Sequence, residues 1–476
     1  MELQHVPHYR PHLHFAPSKN WMNDPNGMVY FAGEYHLFFQ HNPYDSIWGP
    51  MHWGHAVSTN LIEWEELDIA LYPDELGTVF SGSCVVDWEN TSGLFTNKPG
   101  LVAIFTHHKD GQDGQPPKQS QSIAYSTDKG RTWIKYENNP ILTDDTKIDF
   151  RDPKVFWNET DARWVMVVAA GQSVSFYSSP NLLDWQFESE FGEGSGSHEG
   201  VWECPDLFKM AVEPTKEEKW VLLVSIGDNP RYEKGSRTQY FTGSFDGSIF
   251  VPDHTHVKWL DHGKDNYAGV SFSDIPKQDG RRIYIGWMSN WRYANHVPTG
   301  HWRSQMTIPR ELSLKNINGE SLVRQQPVRE FDDYVKKVTD FHKQRIEKDQ
   351  AFTHDIKKPF FEAEFTVSGA NPFTITLHHT DIQHTVMTFA EGVLQVDRSQ
   401  SGDVSFSENF SHIQEVVTSR ADKLKLRMIV DSSSLELFIN DGEQALTCLL
   451  YPDNACTSIS ISSNDAIVHD GYLSTP

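Results

Sequence analysis

One short pattern occurs four times in the first 250 residues, and it constrains the fold more than any other feature. Small polar residues, a turn and an aromatic residue form STNLIEW (58–64), STDKGRTW (126–133), SSPNLLDW (178–185) and, more loosely, GSFDGSIF (243–250). Runs of aromatic and β-branched residues separate these copies, as is typical of short β-strands. Units of about four strands that repeat every ~50–70 residues indicate the blades of a β-propeller.

A second repeat places an acid beside a proline at a turn, followed by an apolar strand, a polar turn and another apolar strand. Its copies are NDPNGMVYFAGEYHLFFQ, RDPKVFWNETDARWVMVV and ECPDLFKMAVEPTKEEKWVLLV, and their acids are Asp24, Asp152 and Glu203. If each copy begins a blade, its first strand starts near the central axis. The register of the repeat therefore predicts that the three carboxyl groups converge at one end of the central channel.

The chain of 476 residues is too long for one ordinary domain. We predict a propeller over residues 1–320 and a polar, partly helical link over 321–350. Residues 351–476 alternate apolar with polar side chains, as in KLRMIVDSSSLELFINDG, which suits half-buried antiparallel strands. About eight such strands would form a β-sandwich, so the whole chain is predicted to be all-β.

The charge balance restricts the partners of this protein. Its formal net charge is −24, from 65 acidic residues against 41 Lys and Arg. Such a field disfavours nucleic acid and anionic membranes, so the easiest ligand is a neutral one. No signal-peptide pattern and no run of 18 apolar residues is visible. We expect a cytoplasmic protein, or a secreted one from which a signal peptide was removed.

The cysteines and histidines do not predict a disulfide framework or a metal site. The four cysteines are too sparse for a framework, although Cys448 and Cys456 could face each other across a turn. The pair His107–His108 and the segment HLHF lack further ligands at the usual spacing, so no metal or cofactor is predicted. The oligomeric state is not readable from these patterns.

Convergent carboxyl groups among many aromatic residues suggest hydrolysis of a glycosidic bond, which needs a proton donor and a second carboxylate. Asp24 alone could simply cap its turn, but the other motifs favour a nucleophile kept ionised by nearby donors. Glu203 suits the acid, because the apolar Trp202 and the like charge of Asp206 would raise its pKa. Arg151 would keep Asp152 ionised to stabilise positive charge.

The motifs WMNDPNG (21–27), FSGS (80–83), FRDP (150–153) and WECPD (202–206), in this order, resemble glycoside hydrolase family 32, the invertase–inulinase–levanase glycosidases. The run over 48–75 is most similar to the bacterial levanase-type branch. The resemblance spans nearly the whole chain. It implies a five-bladed β-propeller followed by a β-sandwich, no metal or cofactor, and retention of anomeric configuration.

The same resemblance implies roles for individual residues. Asp24 would be the nucleophile, Glu203 the acid/base and Asp152 the stabiliser of the transition state. The terminal fructosyl unit would be bound by Asn23, Gln40, Trp48, Phe80, Ser81, Arg151, Trp287 and Tyr267.

One position departs from the family pattern. In DHGKDNYAG, Asn266 stands where the family commonly has an aromatic residue, and loss of that ring would alter packing or the leaving-group side. Whether its neighbours Asp265 and Tyr267 belong to the site depends on how Asn266 packs.

The sequence predicts a retaining glycosidase that releases terminal β-D-fructofuranosyl units from levan, inulin and sucrose. Four alternatives stay open at this point. The first is a dedicated sucrose or sucrose-6-phosphate hydrolase, with His301, Arg303 or Lys264 near the phosphate. The second is a fructosyltransferase, and the third an inactive carbohydrate-binding propeller. The fourth, a sialidase, needs several pocket arginines, and only Arg151 lies in a motif.

Overall fold

The computed structural model describes residues 9–96, 98–111, 114–411, 413–420 and 422–476. Five blades of mostly antiparallel strands form a propeller over the first two thirds of the chain, and the last two blades share one sheet. The strands of blade one are β1 (Asn20–Phe31), β2 (Glu34–Asn42), β3 (His52–Ser58) and β4 (Glu65–Leu71). Those of blade two are β5 (Thr78–Asp87), β6 (Gly100–Lys109), β7 (Lys118–Ser126), β8 (Ile134–Lys135) and β9 (Leu142–Thr143).

The next two blades follow the same meander. Blade three contains β10 (Phe150–Asn158), β11 (Arg163–Ala170), β12 (Val174–Ser179) and β13 (Gln186–Phe191). Blade four contains β14 (Trp202–Glu213), β15 (Glu218–Ile226), β16 (Arg237–Phe245) and β17 (Phe250–Pro252). Together with the fifth blade and the second domain, described next, these blades confirm the predicted all-β fold, a five-bladed propeller followed by a β-sandwich.

Blade five is the most irregular blade, and it brings the chain back to the first. Its strands are β18 (Tyr267–Ser271), β19 (Arg282–Met288), β20 (Trp302–Arg303), β21 (Gln305–Met306), β22 (Arg310–Ile317) and β23 (Glu320–Pro327), with a 3-10 turn at Ala294–His296. β20 pairs in parallel with the start of β1, at Asn20 and Trp21. This pairing joins the last blade to the first.

The repeated Trp turn links the third strand to the outer strand in the first three blades. In each copy the indole N–H donates to the carbonyl three residues earlier: Trp64 to Leu61 at 3.0 Å, Trp133 to Gly130 at 3.0 Å and Trp185 to Leu182 at 2.9 Å. Blade four keeps the polar half of the turn, where the Asp246 carboxylate accepts the N–H groups of Ser248 and Ile249. The repeat that predicts the blades is thus a recurring hydrogen-bonded corner.

The segment 321–350, predicted to be a link, is divided between the two domains. Its beginning is strand β23 of blade five, and it continues as the helix α1 (Arg329–Tyr334). β24 (Lys336–Phe341) and β25 (Gln344–Glu347) then pair with the last strands of the chain. Exposed polar residues on edge strands account for the linker-like composition.

Two sheets form the β-sandwich around one apolar core. The first contains β24, β25, β27 (Phe361–Ser368), β32 (Lys423–Asp431), β33 (Ser434–Ile439), β34 (Gln444–Leu449), β36 (Asp465–Val468) and β37 (Gly471–Thr475). The second contains β26 (Ala351–Asp355), β28 (Phe373–His378), β29 (His384–Ala390), β30 (Val393–Asp397), β31 (Gln414–Val417) and β35 (Ser458–Ser463). Among the described residues the sandwich thus has 14 strands, more than the eight or so predicted. Several of them are only four to six residues long.

Cys448 and Cys456 do not form the bridge that their positions in the sequence left open. Cys448 and Cys456 are both buried and free, as are Cys84 and Cys204. Cys448 lies within β34 opposite Leu435, whereas the Cys456 thiol donates to the Ser458 carbonyl at 3.4 Å.

In the part of the chain that the structure describes, no helix is long and apolar enough to cross a membrane.

Buried charges join the propeller to the sandwich. The Arg310 guanidinium on β22 donates to the carboxylates of Glu436 in the sandwich and Asp261 in the propeller, each at 3.0 Å. The His14 ring lies between Asp431, at 2.9 Å, and Glu436, at 2.7 Å. Burial alone would lower the pKa of His14, but these two hydrogen bonds raise it to about 9. The segment that precedes β1 is thus fixed to the β-sandwich.

Replacing Arg310 with Met should destabilise the protein by about 3–5 kcal/mol, because Glu436 and Asp261 then lose their buried cation. The measurement is the free energy of unfolding by denaturant titration. The exposed Arg345, which pairs with Asp465 on the surface, is the matched control. Arg345→Met is expected to leave the free energy of unfolding close to that of the parent, because an exposed ion pair contributes little to stability. Equal losses for the two variants would contradict this assignment.

Candidate active site

All five innermost strands of the propeller contain a bulge, and the predicted site residues other than Gln40, Trp48 and Trp287 lie at these bulges. The register shifts fall between Met22 and Pro25, Val79 and Gly82, Arg151 and Lys154, Glu203 and Asp206, and Tyr267 and Val270. Three of the bulges contain a proline, which has no N–H for the sheet. A bulge turns a side chain away from the regular alternation. The bulges therefore present the site residues together at one end of the channel.

Cys204 connects two of the three predicted catalytic acids. Its thiol lies 3.4 Å from Asp24 Oδ2 and 3.5 Å from Asp152 Oδ2, and its backbone N–H donates to Asp152 Oδ2 at 2.9 Å. Cys204 has a φ of +46° and Asp152 a φ of +66°, both in the left-handed region. Burial raises the pKa of the thiol well above its usual range. Cys204 is therefore a neutral donor between the carboxyl groups and not a nucleophile.

Asp24 is buried and accepts hydrogen bonds on both oxygens. The Asn23 amide donates to Oδ1 at 2.9 Å, and the Ser81 hydroxyl donates to Oδ2 at 2.7 Å. Asn23 is itself held by the Trp21 indole, which donates to its Oδ1 at 2.7 Å. Burial raises the pKa of Asp24, Asn23 and Ser81 oppose that rise, and the nearby Glu203 carboxyl adds to it. The donors expected around Asp24 are thus present.

Glu203 lies between a guanidinium and a phenol. Arg151 Nη2 donates to Oε1 at 2.9 Å, and the Tyr267 hydroxyl donates to Oε2. Arg151 also donates to Asp149 at 2.5 Å and to Gln119 at 3.3 Å, so its position is fixed from the other side. The Glu203 side chain remains 20% exposed, which leaves it reachable from the mouth of the channel.

The hydrogen bonds and ion pairs around Glu203 and Asp152 join residues that are not neighbours in the sequence. Arg151 hydrogen-bonds Glu203 and not Asp152, although its positive charge still lowers the pKa of Asp152, as expected. Asp206, expected to act as a like charge on Glu203, pairs with the buried Lys154 at 3.3 Å. Burial raises the pKa of Asp152 to about 7, with Glu203 and Asp24 adding to the rise and Arg151 opposing it.

The buried Asp152 makes stability depend on pH. Its pKa is about 7 in the folded chain against an ordinary value of 3.8, so the unfolded chain releases this proton first. The contribution of Asp152 to the free energy of unfolding therefore decreases as the pH rises from about 4 to about 7. Asp152→Asn removes this loss, while its amide oxygen can still accept the Cys204 N–H. We expect calorimetry to show a larger gain in Tm at a pH of about 7.5 than at about 4.5; equal gains would contradict the reasoning.

Aromatic residues form one wall beside the acids. Trp48 is 44% exposed, and its ring meets the edge of Phe80 at 6.3 Å. Phe80 stacks on His108 at 4.3 Å. Trp287 is fully buried between Tyr267 and Trp291, and its indole N–H has no partner among the described residues.

Gln40 has a different position from the other predicted binding residues. Its amide donates to Asn26 Oδ1 at 2.7 Å and to the Val79 carbonyl at 3.1 Å. These bonds tie β1 to the bulge of β5 that carries Phe80 and Ser81. In the described residues Gln40 makes no hydrogen bond to the three acids. It therefore supports the strands that carry the site from below.

The departure at Asn266 is resolved by packing. Its amide donates to Asp261 at 3.1 Å and its oxygen accepts the Tyr284 hydroxyl at 2.9 Å, so it belongs to the buried network around Arg310. Asp265 pairs with Arg398 of the sandwich at 2.6 Å and lies at the domain interface. Tyr267, in contrast, contacts Glu203.

Several residues around the acids were not predicted. They are Trp21, Asn26, His108, Gln119, Asp149, Trp291 and, as a contact of two carboxyl groups, Cys204. Trp21, Asn26 and Cys204 lie inside the recognised motifs, so motif membership was their available signal. Asp149 and Gln119 have no such signal, because they act through Arg151.

Three bulged carboxyl groups at the end of a five-bladed propeller, with an aromatic wall beside them, define a glycosidase. The profile of the glycosyl hydrolases family 32 N-terminal domain matches residues 14–327, and that of the family 32 C-terminal domain matches residues 330–474. The chain belongs to glycosyl hydrolase family 32.

Named relatives agree with this assignment. The chain is 48% identical to a levanase of Bacillus subtilis, over 95% of this chain and 68% of that protein. It is 37% identical to an extracellular exo-inulinase of Aspergillus niger, over 97% and 93% of the two chains. A fructofuranosidase of Schwanniomyces occidentalis, solved with fructosylnystose, superimposes with a TM-score of 0.90 at 31% identity, over 100% of this chain and 99% of that one.

Proposed function

We propose that this chain is an exo-acting β-fructosidase that releases terminal fructose from fructans and from sucrose with retention of configuration. Asp24 is the nucleophile, Glu203 the acid/base and Asp152 the stabiliser of the transition state. The observation that carries the proposal is the difference between two carboxyl groups. Asp24 is enclosed by the donors Asn23 and Ser81, whereas Glu203 faces the channel mouth.

In the first step Glu203 gives its proton to the glycosidic oxygen while Asp24 attacks the anomeric carbon of the fructosyl unit. The bond to the leaving alcohol breaks, and an ester joins Asp24 to the sugar. In the second step Glu203 takes a proton from water, which attacks the same carbon and releases fructose and the free Asp24 carboxylate. Arg151 and Tyr267 hold the Glu203 oxygens in place for both proton transfers.

Asp152 acts between these steps on the positive charge that develops at the anomeric carbon. Its position on the Cys204 N–H fixes its carboxyl group close to Asp24. An anion held in a fixed position beside the anomeric carbon stabilises an oxocarbenium-like transition state more than it stabilises the substrate. Asn23, Trp48, Phe80, Ser81, Arg151, Trp287 and Tyr267 would enclose the terminal fructosyl unit, with Gln40 supporting them from below.

The substrate class follows from the relatives. A levanase and an exo-inulinase match nearly the whole chain, and the structural relative was solved with fructosylnystose. The relatives include extracellular enzymes, and the chain is compatible with either a cytoplasmic or a secreted location.

The deciding experiment incubates the purified protein with levan, inulin, sucrose and sucrose phosphate in parallel and separates the products by chromatography. Fructose alone from the polymers supports exo attack, whereas short oligosaccharides would show internal cleavage and overturn the exo assignment. Fructosyl oligomers longer than the substrate would show transfer to sugar in place of water.

One observation favours a sucrose-phosphate hydrolase as the second candidate. The side chain of Asn295 accepts the backbone N–H of Trp48 at 3.0 Å, and its carbonyl accepts the Arg303 guanidinium, which brings a cation near the backbone of Trp48. Lys264, also considered for this role, donates instead to the Asn409 carbonyl of the sandwich at 3.1 Å. A kcat/KM for sucrose phosphate at least tenfold above that for sucrose would support this candidate, and Arg303→Gln should then remove the preference.

A further inference from the structure

The propeller has a second cavity, at the end of its central channel opposite the acids. It has a volume of about 650 Å³ and lies between the far ends of β5, β10 and β14 and the segment that joins β18 to β19. This volume falls within the usual range for binding sites of small ligands, ~300–1,000 Å³. The cavity shares no lining residue with the aromatic wall around Trp48. It is therefore a separate place on the molecule.

Lys154 separates this second cavity from the catalytic end. The residue lines the cavity, and it also lines a space of about 10 Å³ directly beneath Asp152 and Cys204. Its ammonium group donates to the Ser271 carbonyl at 2.6 Å and pairs with Asp206 at 3.3 Å. A space this small holds about one water molecule. A ligand at the far end therefore cannot reach the acids through the channel.

Aromatic rings line the second cavity, and Trp88 is the most accessible of them. It is 55% exposed, yet its orientation is fixed, because the indole N–H donates to the buried Asp274 carboxylate at 2.8 Å. The edge of Phe31 packs against it at 5.9 Å. Trp157 and Trp220 are partly buried rings of the same cavity, held by Trp164 at 5.1 Å and Phe156 at 5.6 Å. Rigid rings with one open face suit stacking with a ligand.

The charges of the second cavity balance. Four cations line it, Lys154, Lys209, Lys277 and Arg282, and four acids, Asp87, Glu89, Glu159 and Asp274. The Arg282 guanidinium lies over the Phe208 ring at 4.8 Å and makes only long hydrogen bonds among the described residues, at 3.4 Å to Ser271 and Phe272. It therefore has donors to spare for a ligand oxygen. A balanced site with spare donors favours a neutral, hydroxyl-rich ligand over an anion.

We propose that this second cavity is a saccharide-binding site, in which a sugar ring stacks on Trp88 and its hydroxyl groups bond to Arg282. The choice of a fructan as the ligand rests on the proposed function. An enzyme that binds its polymer at a place remote from the acids stays associated with it between cleavage events, which increases the local concentration of chain ends. The site is open to the outside between Glu159 and Lys277, an exposed ion pair at the rim.

The test uses Trp88→Ala, with Phe187→Ala as the matched control, since Phe187 is 52% exposed but does not line the cavity. Native electrophoresis in gels that contain levan or inulin measures binding, in an Asp24→Asn background so that the polymer is not consumed. Hydrolysis of sucrose by each single variant with Asp24 intact measures the catalytic end. We expect Trp88→Ala to weaken retardation by the polymer at least threefold, with sucrose kcat/KM unchanged and with Phe187→Ala equal to the parent in both.

Equal retardation of Trp88→Ala and the parent would overturn the proposal. Binding of inorganic phosphate that is lost in Arg282→Gln, with no effect of Trp88→Ala on the polymer, would show an anion site and would also overturn it. Retardation by a soluble glucan in place of levan or inulin would contradict the choice of fructan. These results stay distinct from a failure of the proposed function, which would appear as absent sucrose and fructan hydrolysis by the unmodified protein.

Discussion

Asp24→Asn should reduce the kcat for sucrose by about 10⁴-fold or more, because an amide cannot form the ester that the proposed mechanism requires. One of the two hydrogen bonds to Asp24 survives the change as it stands, since the amide oxygen accepts either the Asn23 amide or the Ser81 hydroxyl. The measurement is the initial rate of fructose release at saturating sucrose, with protein concentrations high enough to detect such a loss.

The folded state of this variant is itself a prediction. Burial raises the pKa of Asp24, so an ionised carboxylate is costly at this position and a neutral amide of the same shape is not. We expect the Tm of Asp24→Asn at neutral pH to equal or exceed that of the parent. A lower Tm together with lost activity would point to a damaged fold, and an active variant would remove Asp24 from the role of nucleophile.

Glu203→Gln should lower the kcat for sucrose by about 10²–10⁴-fold, the usual contribution of a general acid. The amide keeps a contact with Arg151 or Tyr267 but has no proton to give and accepts none from water. A substrate with a good leaving group, such as an aryl β-fructoside, needs no acid in the first step. We therefore expect a smaller loss in the first turnover of that substrate, followed by slow release of the sugar.

Mass spectrometry of the quenched Glu203→Gln reaction is the sharper measurement, because a fructosyl ester should accumulate on the peptide that contains Asp24. Glu199→Gln is the matched control, since Glu199 is exposed and lies on the loop just before β14. It is expected to keep the parent kcat for both substrates. Equal losses for the sucrose and aryl substrates in Glu203→Gln would argue that Glu203 binds the sugar and does not transfer protons.

The blades were predictable because their signal is local. The Trp turns at 58–64, 126–133 and 178–185 repeat a hydrogen-bonded corner that involves only neighbouring residues. The convergence of Asp24, Asp152 and Glu203 was also predictable, because equivalent positions of repeated units lie at one end of a propeller. Both predictions needed periodicity and nothing about long-range contacts.

The pairing of charges was not predictable in the same way. Arg151 precedes Asp152 in the chain but bonds Glu203, and Asp206 follows Glu203 but pairs with Lys154 from another blade. Each bulge changes the direction of the next side chains, so proximity in sequence misleads within one or two residues of it. The roles of Asn266 and Asp265 stayed open for a related reason, since their partners Tyr284 and Arg398 lie in another strand and in the sandwich.

The charged contacts between the domains also determine how this gene can be recombined. Arg310 and Asp265 are propeller residues whose buried partners Glu436 and Arg398 belong to the sandwich. In a chimera that takes its sandwich from a relative, two ionic groups of the propeller must match two of the new sandwich. A mismatch leaves a charge without a partner in the interior. Shuffling experiments should therefore treat these pairs as linked positions, and crossovers near 328 should succeed only when both pairs come from compatible parents.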